Sequence, residues 1–515
     1  MMSRFLKGTM ILLAAGLFTR VLGFINRIVI ARFLGEEGVG LYMMAFPTLM
    51  LVISITQLGL PVAISKCVAE ADAIGDRQKI KKILVVSLTI TISLSLIFTP
   101  GLILLAPYLT QVLFTDSRIY YPLVAITPII PIVAVSAVLR GYFQGKQNMK
   151  PFAISQMIEQ VVRIFLIAVF ANAFLPFGVE YAAAGVMFAS ILGELISLLY
   201  MFTMFKLKKK FRVRRNFFHV VKSGRDALNE LMSVALPSLG SRLIGNVSWF
   251  LEPIIVANSL AIAGITTSIA TKQYGLLTGF AMPLMMLPSF VTSSLSTALV
   301  PAISEANTKR NSELVEHRLQ QALRFSLLAG GLSVIILYVF ADPLMKAMYG
   351  NSNGSQFIKI MAPFFLLQYY QGPLQATLQA LDMARAAMIN SLIGAIVKLA
   401  VIFILASRPE FGINGAALGI VTSIVLVTLL HFATILKKIS FTIYVLEYVK
   451  FSIVTILACV FGYWIYHHIS FHELAIIHLL ICIILTSILY VLLLLGTKLL
   501  TKSDLRLIPI INKFI

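Results

Sequence analysis

Negative charge is scarce in this chain: 21 Asp and Glu stand against 42 Lys and Arg, and the four types together make 12 % of 515 residues. A soluble globular chain carries about 25 %, so a fully water-facing surface is excluded. Cysteine is nearly absent as well. Cys67, Cys459 and Cys482 are scattered and form no CxxC, which supports neither a disulfide framework nor a zinc site. Long loops are also lacking, since the longest, residues 206–230, is basic and too short for a folded soluble domain. No nucleophile elbow, Walker loop, His-Glu-x-x-His or paired carboxylates occur. We therefore expect no catalytic residues, no metal and no cofactor, and not an enzyme.

Apolar runs fill the chain instead, with 59 % hydrophobic residues. Spans of about 20 apolar residues fit at Gly8 to Phe33, Gly40 to Ile64, Ile83 to Leu105, Tyr120 to Tyr142, Pro151 to Phe174 and Tyr181 to Phe205. After the basic stretch they resume at Leu231 to Leu260, Gly275 to Ile303, Leu319 to Phe340, Phe357 to Leu381, Ala384 to Ala406, Gly412 to Leu436, Lys450 to Tyr466 and Glu473 to Lys498. The expected class is an all-α polytopic membrane protein with fourteen transmembrane helices. Arg4 and Lys7 before the first run imitate a signal peptide, but apolar sequence continues past Arg20 without a small-residue cleavage site, so the run reads as an uncleaved first helix.

With these bounds the loop cations sort to one side. That side holds Arg140, Lys146 and Lys150 among many others; the opposite side holds Arg32, Arg118, Lys272, Lys346, Lys359 and Arg408. By the positive-inside rule both termini are cytoplasmic in the cell membrane, and the net charge of +21 reflects topology, not nucleic-acid binding. The basic loop Lys206 to Arg225 reads as a topogenic linker between the two halves, the alternative being a segment that holds anionic head groups of membrane lipids. His467, His468 and His472 read as an interfacial polar turn between helices 13 and 14.

An internal repeat organises the spans. Leu139 to Arg163 aligns without a gap to Leu374 to Lys398, matching Gln144 with Gln379, Lys150 with Arg385 and Arg163 with Lys398. Thr19-Arg-Val-Leu-Gly23 likewise matches Ser241-Arg-Leu-Ile-Gly245, and Ala63-Ile-Ser65 matches Ala302-Ile-Ser304. Helices 1–6 thus repeat as helices 7–12, and an even number relates the two lobes by a pseudo-two-fold along the membrane normal. The expected division is residues 1–205 for the N-lobe, 206–230 for the linker, 231–436 for the C-lobe and 437–515 for helices 13 and 14 with a basic tail.

Charges recur at depth. At 1.5 Å per residue Arg20 lies roughly 18 Å into helix 1, near the middle of a hydrocarbon core about 30 Å thick. The same arithmetic places Arg163, Glu194, Arg242 and Lys398 near the midplane. Each cation facing lipid there would cost roughly 2.5 to 3.5 kcal/mol, so they should line a shared aqueous cavity. Gln156, Glu159, Gln160 and Arg163 occupy one helical face, with Glu159 and Arg163 an i,i+4 pair in the favourable order. Arg20, Asn26 and Arg27, like Arg242 and Asn246, have no acid at i,i+4 and are candidate substrate contacts. The excess of cations suits a phosphate or pyrophosphate, which Arg grips bidentately. Glu194 and Glu252 are candidate proton or sodium sites.

Thr19-Arg-Val-Leu-Gly-Phe24, Leu58-Gly-Leu-Pro-Val-Ala-Ile-Ser-Lys66 and Arg140-Gly-Tyr-Phe-Gln-Gly145 followed by Ile154-Ser-Gln-Met-Ile-Glu-Gln-Val-Val-Arg163 resemble the polysaccharide-transport branch of the multidrug/oligosaccharidyl-lipid/polysaccharide exporter superfamily. The resemblance covers essentially all fourteen spans, and its last motif is similar to sporulation members of that branch. It implies movement of an undecaprenyl-pyrophosphate-linked peptidoglycan unit for spore cortex synthesis. It also implies that Arg20 is the helix 1 cavity arginine of lipid II flippases, and that helices 13 and 14 form a groove for the polyprenyl tail. The chain departs from those flippases in carrying Asn26 for their second helix 1 arginine and apolar or Gly residues near Gly40, Ile53 and Met282. Two other functions compete: an ion-coupled exporter of small cationic or amphipathic compounds, and a membrane scaffold that recruits cell-wall synthesis enzymes through the basic loop.

Overall fold

The structure, a computed structural model, describes residues 4–208, 224–442, 444–470 and 474–500. Most of the basic linker, His472 and the tail from residue 501 lie outside the described residues. Those residues are helical, with no strand among them. Such sequences fold this way because a helix satisfies every backbone N–H and C=O internally where no water can. Ten helices are long and apolar enough to cross a membrane, or up to twelve if two bent pairs each count as one span.

Two compact units emerge, Met1–Gly279 with Ile402–Ile413, and Phe280–Val401 with Asn414–Ile515. The first holds α1 (Arg4–Gln57), α2 (Leu60–Ala73), α3 (Arg77–Tyr108), α4 (Tyr120–Ile126), α5 (Ile129–Gly145), α6 (Met149–Phe174), α7 (Val179–Lys208), α8 (Arg225–Ile262) and α9 (Thr267–Gly275). The sequence reads two spans with a loop between them in residues 8–64. The observed path is one helical run, α1, broken at Gly35, whose φ of 65° and ψ of −174° are available to glycine because it lacks a Cβ. The expected second span is itself interrupted at Leu58 and Gly59, which take φ of 48° and 69° before α2 begins. The fourth span is bent by 41° between residues 126 and 129, where Pro128 sits. Leu60, Ile64, Ile83, Leu139, Tyr142, Met201 and Leu231 form the core that joins α2, α3, α5, α7 and α8.

Beyond the Gly35 break, α1 crosses α9 with backbones nearly touching. A Cβ on Gly40 would lie 2.0 Å from the Thr271 carbonyl oxygen, and one on Gly275 would lie 2.3 Å from the Glu36 carbonyl oxygen. Ionic contacts surround this crossing. Arg118 bonds Glu37 at 2.7 Å and Asp116 at 2.9 Å; Thr271 Oγ1 donates to Asp116 at 2.8 Å, Ser268 Oγ to Glu37 at 2.5 Å, and Lys272 lies 3.2 Å from Glu36.

The second unit holds α10 (Met282–Met286), α11 (Ser289–Thr308), α12 (Ser312–Val339), α13 (Ala341–Tyr349), α14 (Ser355–Ala380), α15 (Ala384–Ala406, up to Val401), α16 (Ile413–Leu436, from Asn414), α17 (Val445–His468) and α18 (Ala475–Gly496). Its core runs through Ile303, Leu319, Leu323, Leu374, Leu378, Ile435, Phe451 and Tyr490. A bend of 54° separates Thr267–Met286 from Ser289–Thr308, at Pro288. Helix α14 is 26 residues long but is not among the ten apolar spans; Gln368, Gln371, Gln375 and Gln379 lower its hydropathy.

Candidate functional site

Three successive helices of the first unit, α5, α6 and α7, bring two guanidinium and two carboxyl side chains together. Arg163 Nη2 donates to Glu159 Oε1 one turn earlier on α6, as their spacing predicts. Arg140 Nη2 of α5 donates to Glu194 Oε1 of α7 at 2.6 Å and lies 3.7 Å from Glu159 Oε2. Both carboxylates are buried, Glu159 at 8 % and Glu194 at 3 % exposure. The helices can approach this closely because α7 carries Gly193 beside Glu194: a Cβ there would lie 3.1 Å from the Glu159 carbonyl oxygen and 3.3 Å from Arg163 Cβ. Phe152 adds a ring face, with the Arg140 guanidinium carbon 6.0 Å from its centroid.

Two cations and two anions balance here, which is the condition under which buried charge is tolerated. The Nε atoms of Arg140 and Arg163 and Gln160 Oε1 are buried and have no hydrogen-bond partner among the described residues. The sequence reading places Arg140 among the loop cations. Instead, five residues before the end of α5, its long side chain reaches the carboxylate in the middle of α7. Its partner is 54 positions away, so no local spacing announces the pair. The one available signal is that Arg140 still belongs to the apolar run rather than to the turn at Gly145 to Pro151.

The remaining candidates of this unit are placed separately. Tyr42, buried on the second arm of α1, lies within electrostatic range of both Arg27 and Arg163. Asn26 is buried, and its Oδ1 has no donor among the described residues. The side chains of Arg20, Arg27 and Arg242 are exposed. Arg27 and Arg242 have no acidic partner among the described residues. Asn246 Nδ2 donates to Ser54 Oγ at 2.5 Å and so ties α8 to α1. Glu252 is buried, within electrostatic range of Tyr274.

Lys398 belongs to the second unit, half-buried on α15. The repeat counterpart of Glu159, Gly394, is a tight helix contact: a Cβ there would meet Val427 Cγ2 at 2.1 Å. A polar trio nearby, with Asn390 and His431 buried and Thr434 half-buried, is not announced by any sequence motif. Asn390 Nδ2 donates to Thr434 Oγ1 at 2.9 Å and lies 3.2 Å from Nδ1 of the buried His431. Asn390 and His431 come from separate spans with no motif to join them. No group of three His, Cys, Asp or Glu positioned for a metal occurs among the described residues.

The family model described as polysaccharide biosynthesis protein matches residues 5–307, more than half of the chain. The chain belongs to the polysaccharide biosynthesis protein family. A second model, MatE, matches residues 253–404. Among curated members, stage V sporulation protein B of Bacillus subtilis (strain 168) is 59 % identical over 99 % of both chains. Lipid II flippase MurJ of the same organism is 24 % identical over 82 % of each. The solved inward closed form of lipid II flippase MurJ superposes with TM-score 0.70 at 15 % identity, covering 93 % of this chain and 97 % of that one. An inward-facing multidrug resistance MATE family transporter of the MOP superfamily gives TM-score 0.66 at 17 % identity, covering 82 % and 96 %. These likenesses establish a MATE/MurJ-like fold in a multi-pass membrane protein; a lipid II flippase is among its named relatives and a MATE family transporter among its structural neighbours.

Proposed function

We propose that this chain is an alternating-access flippase. Its substrate is an anionic lipid-linked cell-wall precursor, an undecaprenyl-pyrophosphate-linked peptidoglycan unit, moved across the cytoplasmic membrane for spore cortex synthesis. The observation that carries this reading is the distribution of charge: Glu159 and Glu194 are occupied by Arg163 and Arg140, while Arg27 and Arg242 are exposed without acidic partners among the described residues. A surplus of guanidinium within apolar spans fits a phosphate-bearing cargo and opposes a cationic one. The names of the relatives, sporulation protein and lipid II flippase, lend support.

In this reading Arg20, Asn26, Arg27, Arg242 and Asn246 of the first unit contact the pyrophosphate and its sugar, and the Arg140–Glu159–Arg163–Glu194 cluster holds α5, α6 and α7 in register. Glu252 is the remaining ion-coupling candidate. The reading takes the chain as fourteen spans with both termini cytoplasmic, in two six-helix lobes, residues 1–205 and 231–436, followed by two further helices. The helical run Phe18–Ala73 then counts as two spans and α14 as one.

Reconstitution of the purified protein with a labelled lipid-linked precursor tests this, the head group becoming accessible on the opposite face. Losing one charge-assisted contact of about 1.5–3 kcal/mol should slow flipping by roughly 10- to 150-fold in Arg27→Ala or Arg242→Ala. Unchanged flipping in both variants would reject the assignment. Export of cationic dyes by the same vesicles would favour the competing exporter.

A further inference from the structure

At one end of the second unit, where the spans Ser312–Val339 and Val445–His468 stop, a cavity of about 730 Å³ opens between α12, α13 and α17. Its volume falls within the range of small-molecule sites, about 300–1,000 Å³. Tyr338, Tyr463 and Trp464 contribute rings to its wall, and Lys346 and Lys359 bring positive charge. The three rings are 46 %, 59 % and 48 % exposed, far more than packing residues require. Trp464 is braced: its ring stacks on His468 at 5.6 Å, and its carbonyl oxygen lies 3.0 Å from His468 Nδ1.

The cavity's carboxylate is already committed. Asp342 accepts from Lys359 Nζ and from Ser355 Oγ, both at 2.5 Å. Burial raises its pKa, but these two bonds outweigh burial and hold the group below the ordinary carboxylate range, so it stays ionised and paired. Lys346 is exposed and has no acidic partner among the described residues. It projects from α13, a nine-residue amphipathic helix whose Ala341, Met345 and Tyr349 are buried. Such a helix belongs where apolar and polar phases meet. Tyr and Trp rings favour the same depth, that of the lipid headgroups.

We propose that this cavity is a binding site for the phosphate headgroup of an anionic phospholipid, with Lys346 as the ionic contact and Tyr338, Tyr463 and Trp464 as the interfacial wall. The surplus cation selects an anionic over a zwitterionic headgroup, and one lysine at a membrane surface corresponds to a preference of about fivefold. The site is separate from the cluster on α5, α6 and α7 and does not depend on the function proposed above.

The chain has two tryptophans, so Trp249→Phe leaves Trp464 as the sole indole reporter. The full chain with this change, reconstituted with lipids brominated high on the acyl chain, gives the test. Brominated phosphatidylglycerol should quench Trp464 at about one fifth of the mole fraction that brominated phosphatidylcholine needs, and adding Lys346→Gln should abolish the difference. Equal quenching by both lipids, quenching by neither, or a preference that survives Lys346→Gln would overturn the assignment. So would its loss on adding inorganic phosphate, which would assign the cavity to a soluble anion.

Discussion

Two clusters of ionised side chains in the first unit use the same residue types in opposite settings. Around Glu159 and Glu194 the carboxylates are buried in the middle of apolar spans, and each is met by a guanidinium. Around the α1–α9 crossing, Arg118 and Glu37 keep about 30 % of their side-chain surface, while Asp116, which Arg118 also meets, keeps 4 %. The first arrangement exists because an unpaired charge there would be prohibitive; the second persists where water shares the work. In the first cluster, then, pairing is a condition of folding. In the second, the tightness comes from glycine backbones and the charges only trim it.

The comparison breaks most visibly at Glu194. Glu194→Ala leaves Arg140 partly buried without its closest anion and should destabilise the protein by about 3 kcal/mol, read as a lower unfolding midpoint in detergent. Replacing Arg140 and Glu194 together by Met should recover most of that loss; a double variant as unstable as the single one would contradict the desolvation argument. Next comes Gly40→Ala, which drives a Cβ into the Thr271 carbonyl. An overpacking cost of about 1–3 kcal/mol is expected, near its upper end because backbone cannot rotate away. Smaller is Glu37→Gln at the edge of the same crossing, expected to cost less than about 1 kcal/mol and less still in high salt.

Smallest is the exposed Asp342–Lys359 pair, with side chains 50 % and 44 % exposed. The Asp342 carboxyl is held below its ordinary value. Its contribution is therefore present above the unfolded-state value near pH 4 and is lost as pH falls through the folded value. Stability profiles of wild type and Asp342→Asn should run apart by under about 1 kcal/mol at neutral pH and converge in acid; a gap that widens in acid would reverse the sign.

Much of this was legible before any coordinates. Glu159 and Arg163 sit four residues apart on one helix, so rise per residue alone pairs them. That the chain is an all-helical protein of many membrane spans followed from apolar run length, because the bilayer sets that length. Breaks within spans were less legible: Pro128 and Pro288 sit at real bends, whereas Pro47 lies inside α1 without ending it, and neighbouring side chains decide between the outcomes. Arg140 with Glu194, and Asn390 with His431, were invisible because their partners are set by how separate helices pack. The same holds at Gly394, which reads as a missing acid and is in fact a contact that no side chain could enter.

The break in α1 has a mechanical meaning. Residues 4–34 form a rod roughly 45 Å long, and the two dihedrals of Gly35 join it to the segment seated on α9. Rotation about that single residue swings the rod like a lever, carrying its far end about 8 Å for each ten degrees. Arg20 and Arg27 lie on this rod and Gly40 on the seated segment beyond the Gly35 pivot. A ten-degree twist at Gly35 would carry Arg20 by about 4 Å and Arg27 by about 2 Å.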